Sequence, residues 1–360
     1  MKQILFFFAL ITTLQIAAQN TFYIGPGATV TTTGGATITL RDMNLENNGT
    51  INQQPGDGMF YFSGTTDNTI SGNNAPLFDI FRIAKAGTAK VLLQRSINVG
   101  SSVVFTAGLI DLNNNNIFLS PAALLTGEDE TSRITGTIGG FVEITSNLNN
   151  PSFANPGNLG ASITSTANLG GTIIRRGHKS QTNGFGGGNS VFRYYDIIPS
   201  NNTVLNATLN FRYFDAELNG LTENILTLWK SSNNTLWVDQ GFSRRSAVAN
   251  YVERNAIADF SRWTLSTPGN PLPVLFTQFN VKCNNTTVDI KWKTAQELNS
   301  SHFNVLRSTD GSNWTIIGTV PAAGNSSTEK SYSFVDLNPA TGIIFYRIAE
   351  VDLDLSEHYT

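Results

Sequence analysis

The chain has one cysteine, Cys283, and three histidines, His178, His302 and His358, that lie far apart in sequence. A single cysteine excludes an internal disulfide framework and any site built on paired thiolates. The histidine spacing excludes a His-Glu-x-x-His helix, and neither a Walker loop nor a Gly-x-Ser-x-Gly elbow is present. Charge is also scarce: 14% of residues are Asp, Glu, Lys or Arg, against the ~25% usual in soluble domains. A formal charge of -3 leaves no basic stripe for a phosphate backbone, which speaks against nucleic acid. No long helix-period segment follows the N-terminus, so the helical and α/β classes drop out. These absences leave no catalytic residue, no cofactor-binding residue and no metal ligand set to name.

Asn, Thr, Ser and Gly fill the polar positions instead, as in extracellular β proteins, whose corners use Gly and Asn and whose strand faces use Thr. A hydrophobic fraction of 40% supports a core. The first residues, MKQILFFFALITTLQIAAQN, give a positive start at Lys2, an apolar run from Ile4 to Leu14, and a cleavage region at Ala17-Ala18-Gln19. That is the order of a secretory signal peptide, read here as residues 1–19. Its apolar run is shorter than the ~20 residues a spanning helix needs, and no later run competes. The expected location is secreted or at the cell surface, with no membrane span.

Residues 20–132 are a series of short β runs of Val, Ile, Leu, Phe and Thr, each closed by Gly or Asn. Such a chain turns repeatedly, and its corners need φ > 0 or side-chain-capped turns. The reading is a β-solenoid, a right-handed β-helix in which each rung buries its apolar face on the next. Asn47-Asn48 and Asn113 to Asn116 fall at corner or stacking positions. The alternative is an antiparallel sandwich of short hairpins. In residues 133–268 the runs lengthen and aromatics multiply: Leu209, Phe211 and Tyr213 alternate, as do Ile225, Thr227 and Trp229. This predicts an antiparallel β-sandwich, broken by irregular loops at Asn147 to Gly160 and at Ser180 to Ser190 with its glycines. Pro268-Gly269-Asn270-Pro271 opposes both ladder and helix, giving a linker over 269–273.

Residues 274–360 alternate again: Phe276, Phe279 and Val281; Val288, Ile290 and Trp292; Phe303, Val305 and Leu306; Trp314, Ile316 and Ile317; Tyr332 and Phe334; Tyr346, Ile348 and Val351. A Trp on an early strand and a Tyr on a late one, after a Leu-x-Pro-x-x-Gly turn, suit a two-sheet sandwich. The Tyr hydroxyl is then expected to bond to backbone near a corner. Cys283 is expected as a small buried side chain on the first or second strand. The text SYSFVDLNPATGIIFYRI resembles the E strand, E–F turn and F strand of a fibronectin type III-like module. More narrowly, LPVLFTQF…WKTAQELNSSHFNVLRSTDGSNWTIIGTV…YSFVDLNP…YRIAEVD is similar to the module preceding the C-terminal sorting domain in Bacteroidetes proteins exported by the type IX secretion system. The resemblance implies Sec export and then the type IX machinery as a partner. No sorting domain follows His358-Tyr359-Thr360, so the expectation is a longer gene.

Carbohydrate enzymes also use β-helices and sandwiches, and hydrolysis needs two carboxylates ~5–9.5 Å apart. The candidate pairs are Asp215 with Glu217, and Glu128-Asp129-Glu130. The expectation for both is structural: an exposed strand end for the first, a solvated loop for the second. A lyase would stack Asp79, Arg82, Lys85 and Lys90 on one rung face, which is otherwise a solvated face. Calcium needs six to eight oxygens. Asp111 with its asparagines, or Asp352 with Asp354, would give only a weak site. The five tryptophans, Trp229, Trp237, Trp263, Trp292 and Trp314, read as core, with Trp237 the one that could instead present a sugar platform. Asn206-Ala-Thr208 and similar sequons predict no glycan. The reading is a non-catalytic surface protein, adhesin-like or structural, with extracellular glycans or surface proteins as partners. The alternative is a polysaccharide lyase or glycoside hydrolase working on the solenoid face.

Overall fold

A computed structural model describes residues 20–182, 189–235, 237–268, 276–295, 297, 300–324, 326, 328–353 and 357–359. The signal-peptide segment, the linker over 269–273, Gly184 to Gly188 and Asp354 lie outside the described residues. Strand accounts for 56% of the structure, with no α-helix among the described residues. No helix among them is long and apolar enough to cross a membrane.

The N-terminal part is a β-solenoid of about six turns. One parallel sheet stacks Thr21–Ile24, Asn44–Asn47, Asn68–Ser71, Lys90–Leu93, Leu109–Asp111 and Ile134–Thr135. The other stacks Ala36–Arg41, Gly58–Gly64, Leu77–Lys85, Ile97–Ala107 and Ile117–Leu119. In-register stacking places like beside like. Leu40, Phe62, Ile83 and Phe105 form one internal column, and Phe60, Phe81, Val103 and Leu125 another. These side chains are buried, and the Phe78 and Phe81 rings stack at 5.2 Å. A rung alone could not bury its apolar face; each is stable only on its neighbours.

Asparagine holds the corners, as its spacing predicts. Asn47 is fully buried and its Nδ2 donates to Asn74 O at 3.0 Å. Asn113 and Asn115 both send Nδ2 to Leu93 O of the rung below. Asn113 and Asn114 take φ of 46° and 61°, the left-handed region asparagine tolerates.

Phe141–Asn149 then joins two kinds of ladder. It runs parallel to Ile117–Leu119 and antiparallel to Asn168–Gly177. The sheet continues without a break through Tyr194–Pro199, Arg262–Ser266, Thr227–Ser231 and Val238–Gly241. Ala161–Thr164, Ala207–Arg212, Tyr251–Ile257 and Arg244–Ser246 form a second, four-stranded sheet. One apolar core extends from Ile24 to Leu265. The segment expected to be irregular, Asn147 to Gly160, begins as strand to Asn149 and holds a 3-10 turn at Pro156–Asn158. Ile225 belongs to a 3-10 turn, Glu223–Ile225, rather than to the strand with Thr227 and Trp229.

The C-terminal part is a two-sheet arrangement. Phe276–Asn284, Thr287–Thr294 and Lys330–Asp336 form one sheet; Thr315–Pro321, Ser300–Ser308, Phe345–Asp352 and Glu357–Tyr359 form the other. Val288, Ile290 and Trp292 share the buried face with Phe303, Val305 and Ile348. Two expectations are corrected here. Cys283 is exposed, because Phe276–Asn284 is an edge strand whose residues after Phe276 all remain open to solvent. Tyr346 Oη donates to the Asp336 carboxylate at 2.9 Å rather than to a backbone carbonyl, and Arg307 completes the corner on the same oxygen at 2.9 Å.

Candidate functional site

Where the solenoid ends, its last loop meets the sandwich and leaves a cleft of about 500 Å³. Glu128, Asp129 and Glu130 come from the solenoid side; Arg176, Arg193, Tyr213 and Asn250 come from the sandwich. Both candidate carboxylate groups of the sequence thus meet in one place, since Glu130 accepts from the backbone N–H of Asp215 at 2.9 Å and of Ala216 at 3.0 Å.

Arg176 is the central group. In Asn168–Gly177 the buried positions alternate as Thr172, Ile174 and Arg176, so the guanidinium is carried inward by strand period. Burying such a charge is costly unless it is paired and hydrogen-bonded. Glu128 pairs with it two-pronged, at 2.7 and 2.9 Å, and Leu159 O accepts a further bond at 3.2 Å. Tyr195 Oη also donates to Leu159 O, at 2.7 Å, which pins the 3-10 segment onto the sheet. The expectation of a solvated acidic loop therefore fails for Glu128, whose side chain is 9% exposed. Asp129 does stay outside, where its carboxylate accepts from the Thr131 and Ser132 N–H groups, both at 2.8 Å.

A second buried pair lies behind the first. Arg193 meets Glu217 at 2.8 and 2.9 Å, and His178 Nδ1 lies 2.9 Å from Glu217 Oε1. Asp215–Glu217 is a 3-10 turn, so its two carboxylates do not share a strand face. Asp215 is exposed, as expected, but Glu217 is buried. Glu217 also accepts from Phe214 N–H at 3.0 Å, closing its own turn.

The electrostatics follow from these contacts. Burial alone would raise the Glu217 carboxyl; the Arg193 charge and the bonds from His178 and Arg193 outweigh it and hold it far below the usual carboxylate range. Burial would likewise raise Glu128, but Arg176, then Arg193 and the Ile134 N–H, bring it below its ordinary value. His178 is pushed down to about 4 by burial, with the positive charges of Arg176 and Arg193 adding to that. It is neutral at pH 7, so Nδ1–H donates to Glu217 and Nε2 is the bare ring nitrogen. The cluster is thus two ionised carboxylates, two guanidiniums and a neutral imidazole: strong for holding parts together, with no protonated acid near neutral pH.

The remaining candidates do not converge. Asp79, expected on a solvated rung face, is buried and accepts from Gly56 and Gly58 N–H at 2.9 and 3.1 Å and from the Ser101 hydroxyl. Lys85 is also buried, bonded to Ser63 O at 2.8 Å and to Asn68. Arg82 reaches Thr106 at 3.2 Å, and Lys90 pairs with Asp111 at 2.8 Å. Asp111 is therefore engaged by a cation, and no group of three or more metal-ligating side chains occurs among the described residues. Trp237 is buried, its Nε1–H donating to Thr182 O at 3.3 Å. Trp229, Trp263 and Trp292 are buried as expected, while Trp314 is half-buried under Arg347, whose guanidinium is 4.2 Å from the ring centre.

Sequence reasoning passed over Arg176, Arg193 and Asn250. The available signal was GGTIIRRG, where one arginine of an apolar strand must face inward by alternation. Asn250 gave none: its Nδ2 joins Asp215 at 2.7 Å to Glu130 at 3.4 Å across 120 residues of chain.

No protein-family model matches this chain, and no curated protein matches it. Among solved structures it is similar to a crystal structure of a β-1,2-glucanase from Parabacteroides distasonis, at 13% identity and a TM-score of 0.18. That alignment takes in 56% of this chain and spans 31% of the glucanase, and at such a score it carries no argument.

Proposed function

We propose that this is a non-catalytic extracellular protein, exported through a cleaved leader and displayed at the cell surface, where it provides reach and makes adhesive contacts with glycans or surface proteins. The observation that carries the reading is the state of the carboxylates in the cleft and directly behind it. Glu128 and Glu217 are held ionised by Arg176 and Arg193, and both oxygens of Glu130 are taken by backbone N–H groups. Glycoside hydrolysis needs one carboxyl kept protonated near the working pH, and Glu128, Asp129 and Glu217 are all shifted the opposite way. The cluster joins solenoid to sandwich.

The similarity of residues 274–360 to the fibronectin type III-like module of type IX-exported Bacteroidetes proteins supports the surface destination. The three- and four-stranded sheets packed around Trp292 are consistent with such a module. The test is to incubate mature protein with soluble and insoluble polysaccharides and with surface extracts. Retention without any release of reducing ends or unsaturated uronides is the expected result; turnover overturns the reading.

A carbohydrate-active enzyme is the second reading, and one observation favours it: a cleft that does gather acids and arginines. It lies at the end of the solenoid rather than on a rung face. Under that reading, Glu130→Gln would abolish turnover in a chain that still folds.

A further inference from the structure

The four-stranded sheet carries a second groove of about 350 Å³ on the face turned away from the core. Leu209, Phe211 and Val252 point inward and are buried. On the opposite face, Ser162, Asn210, Glu253 and Arg244 stand in direct register across all four strands. An outward polar row is ordinarily solvated, yet Ser162, Asn210 and Glu253 are 2%, 4% and 6% exposed. Asn210 Nδ2 donates to Glu253 Oε2 at 3.1 Å, and Arg244 engages Glu253 Oε1 through Nε at 2.8 Å and Nη2 at 2.7 Å. Asn210 Oδ1 is buried and has no hydrogen-bond partner. A buried acceptor left unmet is rare in folded proteins and asks what fills it.

Phe153 closes one end of this row. Ala154 pairs with Ile163 at the edge of the sheet, and Phe153 N–H donates to Thr164 Oγ1 at 2.9 Å. Phe153 is 55% exposed and holds φ of +50°. Positive φ is a genuine outlier for a bulky residue, and such strain persists mainly at functional positions.

We propose that this groove binds a neutral saccharide, with the C–H face of a sugar ring on Phe153 and its hydroxyls along the row, one of them donating to Asn210 Oδ1. Hydroxyls both donate and accept, which matches a row of amide, carboxylate, guanidinium and hydroxyl groups. The ligand is neutral because Arg244, the cation among the groove's described residues, is already paired with Glu253. The volume is at the small end of ligand pockets, ~300–1,000 Å³, which suits a short saccharide segment. This rests on the glycan-contact reading above and gives it a place.

The test is calorimetric titration of the full chain with neutral gluco-, xylo-, manno- and galacto-oligosaccharides, in wild type, Phe153→Gly and Arg244→Gln. Phe153→Gly removes the ring and relieves the φ, so its fold is not at risk. The expected result is binding by wild type, with Kd weakened about tenfold or more in each variant; Tm is unchanged or raised in Phe153→Gly and lowered in Arg244→Gln, which leaves buried Glu253 without its counter-charge. Wild-type affinity in both variants overturns this site and leaves glycan contact standing elsewhere. No binding of any oligosaccharide also overturns it. Turnover of an oligosaccharide overturns the non-catalytic reading instead, and the two failures are thereby told apart.

Discussion

At the scale of single residues, the balance of the buried pairs decides behaviour. Glu128→Gln leaves Arg176 buried without a counter-charge, and breaking such a pair costs roughly 3–5 kcal/mol. Replacing both Glu128 and Arg176 by apolar residues of similar size is expected to cost less than the single change, because no charge is then stranded. Urea denaturation of the single and double variants checks this. His178 sets an acid limit. Its ordinary value is 6.5, and in the fold it is about 4. Between those values the unfolded chain takes up a proton that the folded chain refuses, so stability falls as pH falls through this window. Glu217, also depressed, adds loss of the same sign lower down. The measurement is the urea midpoint from pH 7 to pH 4; His178→Leu should flatten the slope between 6.5 and 4. Only the inward Arg176 had a signal in the chain; Glu217 reads there as one acid of an exposed turn. Its buried partners are His178, 39 residues away, and Arg193, 24 residues away, and sequence shows alternation but not such partners.

At the scale of elements, strands were readable wherever one face is dry. Val288, Ile290 and Trp292 alternate in text and in burial alike, whereas Leu209 and Phe211 alternate in text with Asn210 between them buried too. The edge strand Phe276–Asn284 has the same alternation, yet Phe279 and Val281 remain 38% and 39% exposed. Period tells which side a residue faces, not whether anything lies against it. The glycine corners were legible in kind, and Gly58 shows why one position admits nothing else. Its φ is +129°, and an added Cβ would fall 2.0 Å from Ala36 O in the neighbouring rung. Gly58→Ala should therefore force the pairing of Ala36–Arg41 with Gly58–Gly64 apart at its start. Hydrogen exchange is expected to rise in those two strands first, and unchanged protection there would count against this account.

At the scale of the whole molecule, the change from parallel to antiparallel pairing happens inside one sheet, at Phe141–Asn149. The sequence changes texture near residue 133, but nothing in it reveals that hydrogen bonding and core pass through that point. Because they do, residues 20–268 should open as one cooperative unit. Native-state exchange in low denaturant should give rung strands such as Leu77–Lys85 and sandwich strands such as Tyr194–Pro199 the same opening free energy. Two separate values would refute it. That shared strand also bears on what happens under pull. A tug on the far edge of the sandwich meets a continuous ladder at Phe141–Asn149 rather than a pliant joint, so the load passes along it into the rungs, and the two parts move as a lever rather than a tether.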